Sequence, residues 1–181
     1  MYDNIVNFHD VSWEDYERMC DMRGDDSVPR IHYLKGELEV MTPCREHHRI
    51  ESLLGCLVEN WCIDRDIEIS GFGSWTLRDK KVMRGAEADE CYIFGKDTRR
   101  DRPHLAIEVE WTEGVLNRLQ IYEKLGVDEL WIWRKGVITV HPFSGNRVLP
   151  DLDLTLLTSM LDRDTTSQAI RDFRKALAGE H

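Results

Sequence analysis

The chain has 181 residues, 41% of them apolar, and its 24 Lys and Arg against 34 Asp and Glu leave a formal charge of −10. That is enough chain for one domain with a single sizeable core. It is too acidic to coat nucleic acid through its overall field, and it holds no 18-residue apolar run that would span a membrane. Residues 1–29 read as a lead-in without a secretory leader. Ser12 is placed to cap a short helix running to about Cys20, with Asp15 in the position of a capping-box acid. Residues 30–181 then form the main domain. Arg30–Met41 alternates as a strand or hairpin turning at Lys35-Gly36, with Leu34, Leu38 and Val40 on one face and Lys35, Glu37 and Glu39 on the other. A helix from Pro43 to about Cys62 buries Ile50, Leu53, Leu54, Leu57, Val58 and Trp61 at 3.6-residue spacing, with His47 and His48 in its first turns. Short strands follow at Ile67–Ser70 and Trp75–Leu77, with a charged loop over Arg78–Lys81. Longer strands are expected at Ala88–Phe94 and His104–Trp111. Leu116–Leu125 reads as a helix ending at Gly126. Asp128–Arg134 and Val137–His141 read as a hairpin, and Thr165–Leu177 as a closing amphipathic helix. This order gives an α/β or α+β domain with a mixed sheet.

The five cysteines, at 20, 44, 56, 62 and 91, include no CxxC pair. Reduced buried thiols in a cytoplasmic protein are therefore expected, not a zinc site. No GxGxxG, GxxxxGK[ST], GxSxG or HExxH motif is present, which removes the main support for nucleotide-binding and hydrolase-elbow readings.

The chemically informative feature is the placing of carboxylates inside strand-like segments. Glu108 lies among apolar neighbours in LAIEVEW, where an isolated carboxylate is costly to bury without a cation or strong donors. Asp89, nineteen residues earlier, would come alongside if the two strands pair. Two such carboxylates with a carbonyl and waters suit Mg²⁺ or Mn²⁺, and Glu37 or Glu39 is available as a third acid. The alternative is a solvated or Arg-paired Glu.

The strings YLKGELEVMTP (33–43), GSWTLRD (73–79), RGAEADECYIF (84–94), RPHLAIEVEWTEG (102–114) and LNRLQIYEKLGVDELWIW (116–133) resemble the Uma-two family. This is a bacterial family of restriction-endonuclease-like proteins in the PD-(D/E)XK nuclease superfamily. The resemblance runs from about residue 10 to about residue 178. It implies a restriction-endonuclease-like fold, a mixed sheet flanked by helices, and a metal-dependent endonuclease hydrolysing DNA. Asp89 and Glu108 stand at the family's metal-binding acids, Glu37 at the acid of its first strand, and His47 at a His following the "SP" turn. Arg118 stands where the family carries a Lys, and Glu110 where the superfamily motif has its Lys.

On this reading Asp89, Glu108 and Glu110 hold Mg²⁺ or Mn²⁺, which activates water and neutralises the phosphate. Arg118 can stabilise developing charge, but guanidinium cannot serve as a base. Lys35 is an outside substitute for the missing Lys. Glu110 could instead pair with Arg118, neutralising both. His47 is a candidate phosphate contact at a helix N-terminus or an exposed capping residue, and Tyr122 lines the site or packs under the sheet. Arg78, Lys80, Lys81, Arg84, Arg99, Arg100 and Arg102 form either a phosphate-binding rim or a solvated surface. Trp131 and Trp133 look like core. The charge predicts weak DNA binding, and a homodimer is the expected assembly. The rival expectation is a weakened or inactive relative that binds nucleic acid or a protein partner.

Overall fold

The computed structural model describes residues 2–179. Ten strands and five helices in a mixed α+β arrangement occupy those residues, and the strands are shared between two five-stranded sheets. The first sheet has the order β1-β3-β2-β6-β5 and is antiparallel throughout: β1 Asn4–Phe8, β2 Arg30–Leu34, β3 Glu37–Thr42, β5 Thr76–Asp79 and β6 Arg84–Glu87. The second has the order β10-β9-β8-β7-β4: β4 Ile69–Gly71, β7 Glu90–Phe94, β8 Leu105–Val109, β9 Glu129–Arg134 and β10 Val137–Pro142. Its β8 and β9 run parallel, joined through α3 Arg118–Leu125; the other pairs are antiparallel. A parallel pair needs such a crossover, whereas a tight turn suffices for the hairpins.

Local chemistry explains most of these elements. Ser12 caps α1 Trp13–Arg23 by accepting from the Asp15 N–H, and Gly24 ends it at φ +70°. The helix runs three residues past the expected Cys20. The β2–β3 hairpin turns at Lys35-Gly36 with both φ angles positive, as a two-residue primed turn requires. That turn places Leu34 opposite Glu37, so Leu34 shares the face of Glu37 and Glu39, while Leu38 and Val40 face Ile31 and Tyr33 across the strands. Leu34 therefore leaves the face that simple alternation assigned it. The expected strand 88–94 is broken: β6 ends at Glu87 in the first sheet and β7 starts at Glu90 in the second. Ala88 and Asp89 are the link between the sheets. β1, β6 and α4 Leu154–Ser159 are elements that the sequence pattern did not reveal, and β1 brings the expected lead-in into the first sheet.

Three apolar clusters hold the layers. α2 Arg45–Ile63, α4 and α5 Thr166–Ala178 cover one face of the second sheet, packing Leu54, Leu57, Trp61 and Phe173 on Leu105, Ile107, Val109, Trp131 and Trp133. On the other face Ile121, Tyr122 and Leu125 of α3 pack on Ala106, Leu130 and Ile132. α1 sets Trp13 and Tyr16 against Ile31, Tyr33 and Leu38 of the first sheet. Truncating one of these, such as Leu54→Ala, costs about 2–5 kcal/mol. Among the described residues no helix is long and apolar enough to cross a membrane.

Candidate functional site

The link between the sheets carries the most buried charge. Asp89 is fully buried. Its Oδ2 accepts from the Val109 N–H at 2.5 Å. Its Oδ1 lies 3.0 Å from Arg30 Nε and 3.1 Å from His47 Nε2. Burial would raise its pKa, but Arg30, the charged His47 and the Val109 N–H outweigh burial and hold the carboxyl below its ordinary value. His47, in the first turn of α2, reaches Asp3 Oδ2 with its other nitrogen at 3.1 Å. Burial would lower the His47 pKa, yet hydrogen bonds to the two carboxylates push it up to about 10. The ring is thus an imidazolium donating from both nitrogens at neutral pH.

Glu51 comes one helical turn after His47 on α2, at i and i+4, so both point at Asp89. Its Oε1 lies 2.8 Å from Arg30 Nη2, and Arg30 Nη1 donates to the Ala88 carbonyl at 3.0 Å. Arg30 is one of the largest fully buried side chains, and the negative charges acting on it are Asp89, Glu51 and Glu108.

Glu108 projects from the middle of β8 with 2% exposure and accepts a short hydrogen bond from the Tyr122 hydroxyl. Burial, helped by the charge of Asp89 and opposed by Arg118, raises its pKa to about 8. Arg118 opens α3 after the Asn117 cap and pairs closely with Glu39. Its Nε lies 3.7 Å from Glu108 Oε2. Its Nε and Nη1 make no hydrogen bond. Glu39 Oε2 also accepts from the Val115 N–H at 3.1 Å, and its carboxylate leaves no room for a Cβ at Gly114. Arg118 borders a cavity of about 530 Å³ lined also by Asn117, Ile132 and Arg134.

Of the residues singled out in the sequence, the fold brings together Asp89, Glu108, Arg118, His47 and Tyr122. It does not bring Glu37, Lys35 or Glu110 to them. Glu37 starts β3 at the hairpin end, where its half-exposed carboxylate meets His9 Nδ1 at 2.5 Å. Glu39, on the same strand face but two residues deeper, takes the buried place. Lys35 occupies the hairpin turn, where its N–H donates to the Met83 carbonyl and its side chain borders a cavity beside Trp13. Glu110 lies just past the end of β8 and is held by Arg134 (Nε to Oε2, 2.7 Å), not by Arg118. Arg134 also meets Glu113 at 3.2 Å. Much of the would-be basic rim is paired locally. Lys80 pairs with Glu14, Arg99 with Asp97 and Arg100 with Asp128, while Arg84 and Arg102 donate to backbone carbonyls.

Arg30, Glu51, Asp3 and His32 are site residues that the sequence pattern did not single out. Glu51 had a legible signal, the His–x₃–Glu spacing on one helix. Asp3 and Arg30 reach the site through tertiary pairing alone. His32 lies opposite Glu39, fully buried, with neither ring nitrogen hydrogen-bonded. Burial and the nearby charges of Arg118, Arg30 and His47 hold it neutral, well below its ordinary pKa.

The donor set suits a hard divalent cation. Ligand atoms of His47, Glu51 and Asp89 lie within 4.8 Å of one another, the spread that oxygen ligation at 2.0–2.6 Å permits. With no metal bound, Asp3 and Asp89 keep His47 charged, and in that state the carboxylates of Glu51 and Asp89 are the available ligands. The guanidinium of Arg30 is already a stand-in cation on this set. With Glu108 raised to about 8 and mostly protonated at pH 7, Asp3, Glu39, Glu51 and Asp89 still outnumber Arg30, Arg118 and charged His47, so the cluster keeps a net negative charge.

A mixed α+β fold carrying a buried acid cluster where two sheets join is the class that fold and site define. The chain belongs to the Uma2 family, described as "Putative restriction endonuclease", which matches residues 13–164. No curated protein matches the chain. Among solved structures, it is similar to a "putative nuclease belonging to DUF820" from Anabaena variabilis ATCC 29413. That likeness has 12% identity and a TM-score of 0.47, and covers 84% of this chain and 96% of that one.

Proposed function

We propose that the protein is a divalent-metal-dependent endonuclease acting on DNA phosphodiester bonds, with its centre at Asp89, Glu51 and Glu108. The observation that carries this reading is the convergence of two carboxylates, Asp89 from the link between the sheets and Glu51 from α2, on one buried cation, Arg30, with the charge of Glu108 acting on the same guanidinium. Family membership supports the reaction class. A bound Mg²⁺ or Mn²⁺ would supply Lewis-acid neutralisation of the phosphate and a more acidic water. Asp89, kept ionised by its donors, is the principal ligand, with Glu51 and Glu108 beside it. Tyr122 fixes the rotamer of Glu108 through its hydroxyl. Arg118 has two buried nitrogens, Nε and Nη1, without hydrogen bonds, and its residue borders the cavity; a small movement of the side chain would let it stabilise phosphate oxygens in the transition state. It stabilises charge and takes no proton. The test is nicking of supercoiled plasmid and of single-stranded DNA with Mn²⁺, Mg²⁺ or EDTA, beside Asp89→Asn. Metal-dependent cleavage lost in the variant is expected.

A second reading is favoured by one observation: both oxygens of Asp89 are already taken by protein donors and its surface is closed. A relative that has ceased to cut and only binds would look like this. Absence of nicking under every metal, with DNA retention in a low-salt gel shift, would select it.

A further inference from the structure

We infer that Arg30 is the resident counter-ion of the metal site, which a divalent cation must displace before the centre can load. The inference rests on the metal-dependent reading above and concerns how that site is filled. Arg30 touches the oxygens that a hard cation would use: Asp89 Oδ1 at 3.0 Å, Glu51 Oε1 at 2.8 Å and the Ala88 carbonyl at 3.0 Å. These come from two secondary-structure contexts, α2 and the link between the sheets, and converge on one guanidinium projecting from β2. A planar fork can span two carboxylates and a carbonyl, while an ammonium cannot. The side chain is 2% exposed, so it neutralises the acids from within and does not screen them from solvent. The guanidinium fills the space among these three oxygens, and its positive charge there opposes a divalent ion that would ligate them at about 2.0–2.6 Å. Apparent metal affinity is then the intrinsic affinity reduced by the fraction of molecules in which Arg30 has swung away.

The deciding measurement is Mn²⁺ binding, by calorimetry and by loss of the free-ion electron-spin signal. The samples are the wild-type chain, Arg30→Gln, Arg30→Lys, and Arg30→Gln combined with Asp89→Asn. Melting temperature is read with and without Mn²⁺. Arg30→Gln should bind Mn²⁺ about tenfold tighter or more and gain more in melting temperature from it than the wild type does. Adding Asp89→Asn should abolish both gains. Arg30→Lys keeps the charge in a side chain that folds more readily into the pocket, and its affinity should fall between wild type and Arg30→Gln. Equal Mn²⁺ affinity in the wild type and both single variants, with Asp89→Asn still abolishing it, overturns the role of Arg30 and leaves the metal reading standing. No Mn²⁺ binding in any variant, all folded, overturns the metal reading itself.

Discussion

His47 Nε2 lies 3.1 Å from Asp89 Oδ1, and neither residue is exposed. The same ring holds Asp3, whose carboxylate also accepts from the backbone of Cys44 and Thr112. One imidazolium thus ties the N-terminal segment, the start of α2 and the Asp89 link together. Its folded pKa of about 10 lies above the ordinary histidine value of 6.5, so the folded state binds the proton more tightly than the unfolded chain. The stabilisation is fully present below pH 6.5 and is lost as pH rises through about 10. Denaturant midpoints should therefore fall between pH 7 and pH 10. In His47→Gln this decline should flatten, and its stability at pH 6 should be lower by about 3–5 kcal/mol, the usual cost of breaking a buried pair. An unchanged slope in the variant would remove His47 as the source.

His32 has the opposite sign. Its folded pKa lies well below 6.5, so the unfolded chain takes the proton first. Its contribution is present above pH 6.5 and is lost as pH falls below that value. His32→Leu should therefore be less acid-sensitive than the wild type between pH 6.5 and 4.5, with little change at pH 8. Thermal melts across that range decide it. Equal acid sensitivity would mean that the orphaned imidazole is not the group that titrates.

Alternation and composition were enough to locate most helices and the β2–β3 and β9–β10 hairpins; the pairing of β7 with β8, only a condition in the sequence reading, is present, but Asp89 stands in the link before β7 and not on that strand. Alternation and composition could not separate Glu37 from Glu39, because both lie on one strand face and only depth in the sheet distinguishes them. They also put Glu110 beside Glu108 by parity, though β8 stops at Val109 and Arg134 draws Glu110 away. Glu87 and Glu129 are fully buried carboxylates, yet they bond Arg23, Thr76 and the Ile31 N–H, and Trp131 and the Val148 N–H. An acid in a strand is therefore no marker of chemistry without its partners, and Asp3 and Arg30 find theirs across long stretches of chain.

Tyr122 donates to Glu108 from α3, and both groups are buried. Tyr122→Phe keeps the ring in its apolar cluster but leaves one carboxylate oxygen without its donor. The expected loss is about 1–3 kcal/mol. The pKa of Glu108, already about 8, should rise further, since the hydroxyl's hydrogen bond favours the ionised carboxylate. Carboxyl infrared absorption of the variant against pH reads this directly. A lower Glu108 pKa in Tyr122→Phe would contradict the hydrogen-bond assignment.

Arg118 bridges Glu39 and Glu108, and two of its nitrogens remain without hydrogen bonds. Arg118→Met leaves both acids without this cation and should destabilise the fold by about 3–5 kcal/mol. Arg118→Lys retains one charge but cannot fork between the two acids. It should cost less stability than Arg118→Met, and it installs the Lys that the sequence resemblance implies at this place. If Arg118 limits turnover, metal-dependent plasmid nicking by Arg118→Lys should exceed that of the wild type, by about a hundredfold for one better-placed donor. If Arg118 serves only to neutralise Glu39 and Glu108, nicking should stay level while the denaturation midpoint alone moves. Rates and midpoints measured on the same preparations separate a charge that acts on substrate from a charge that holds the fold.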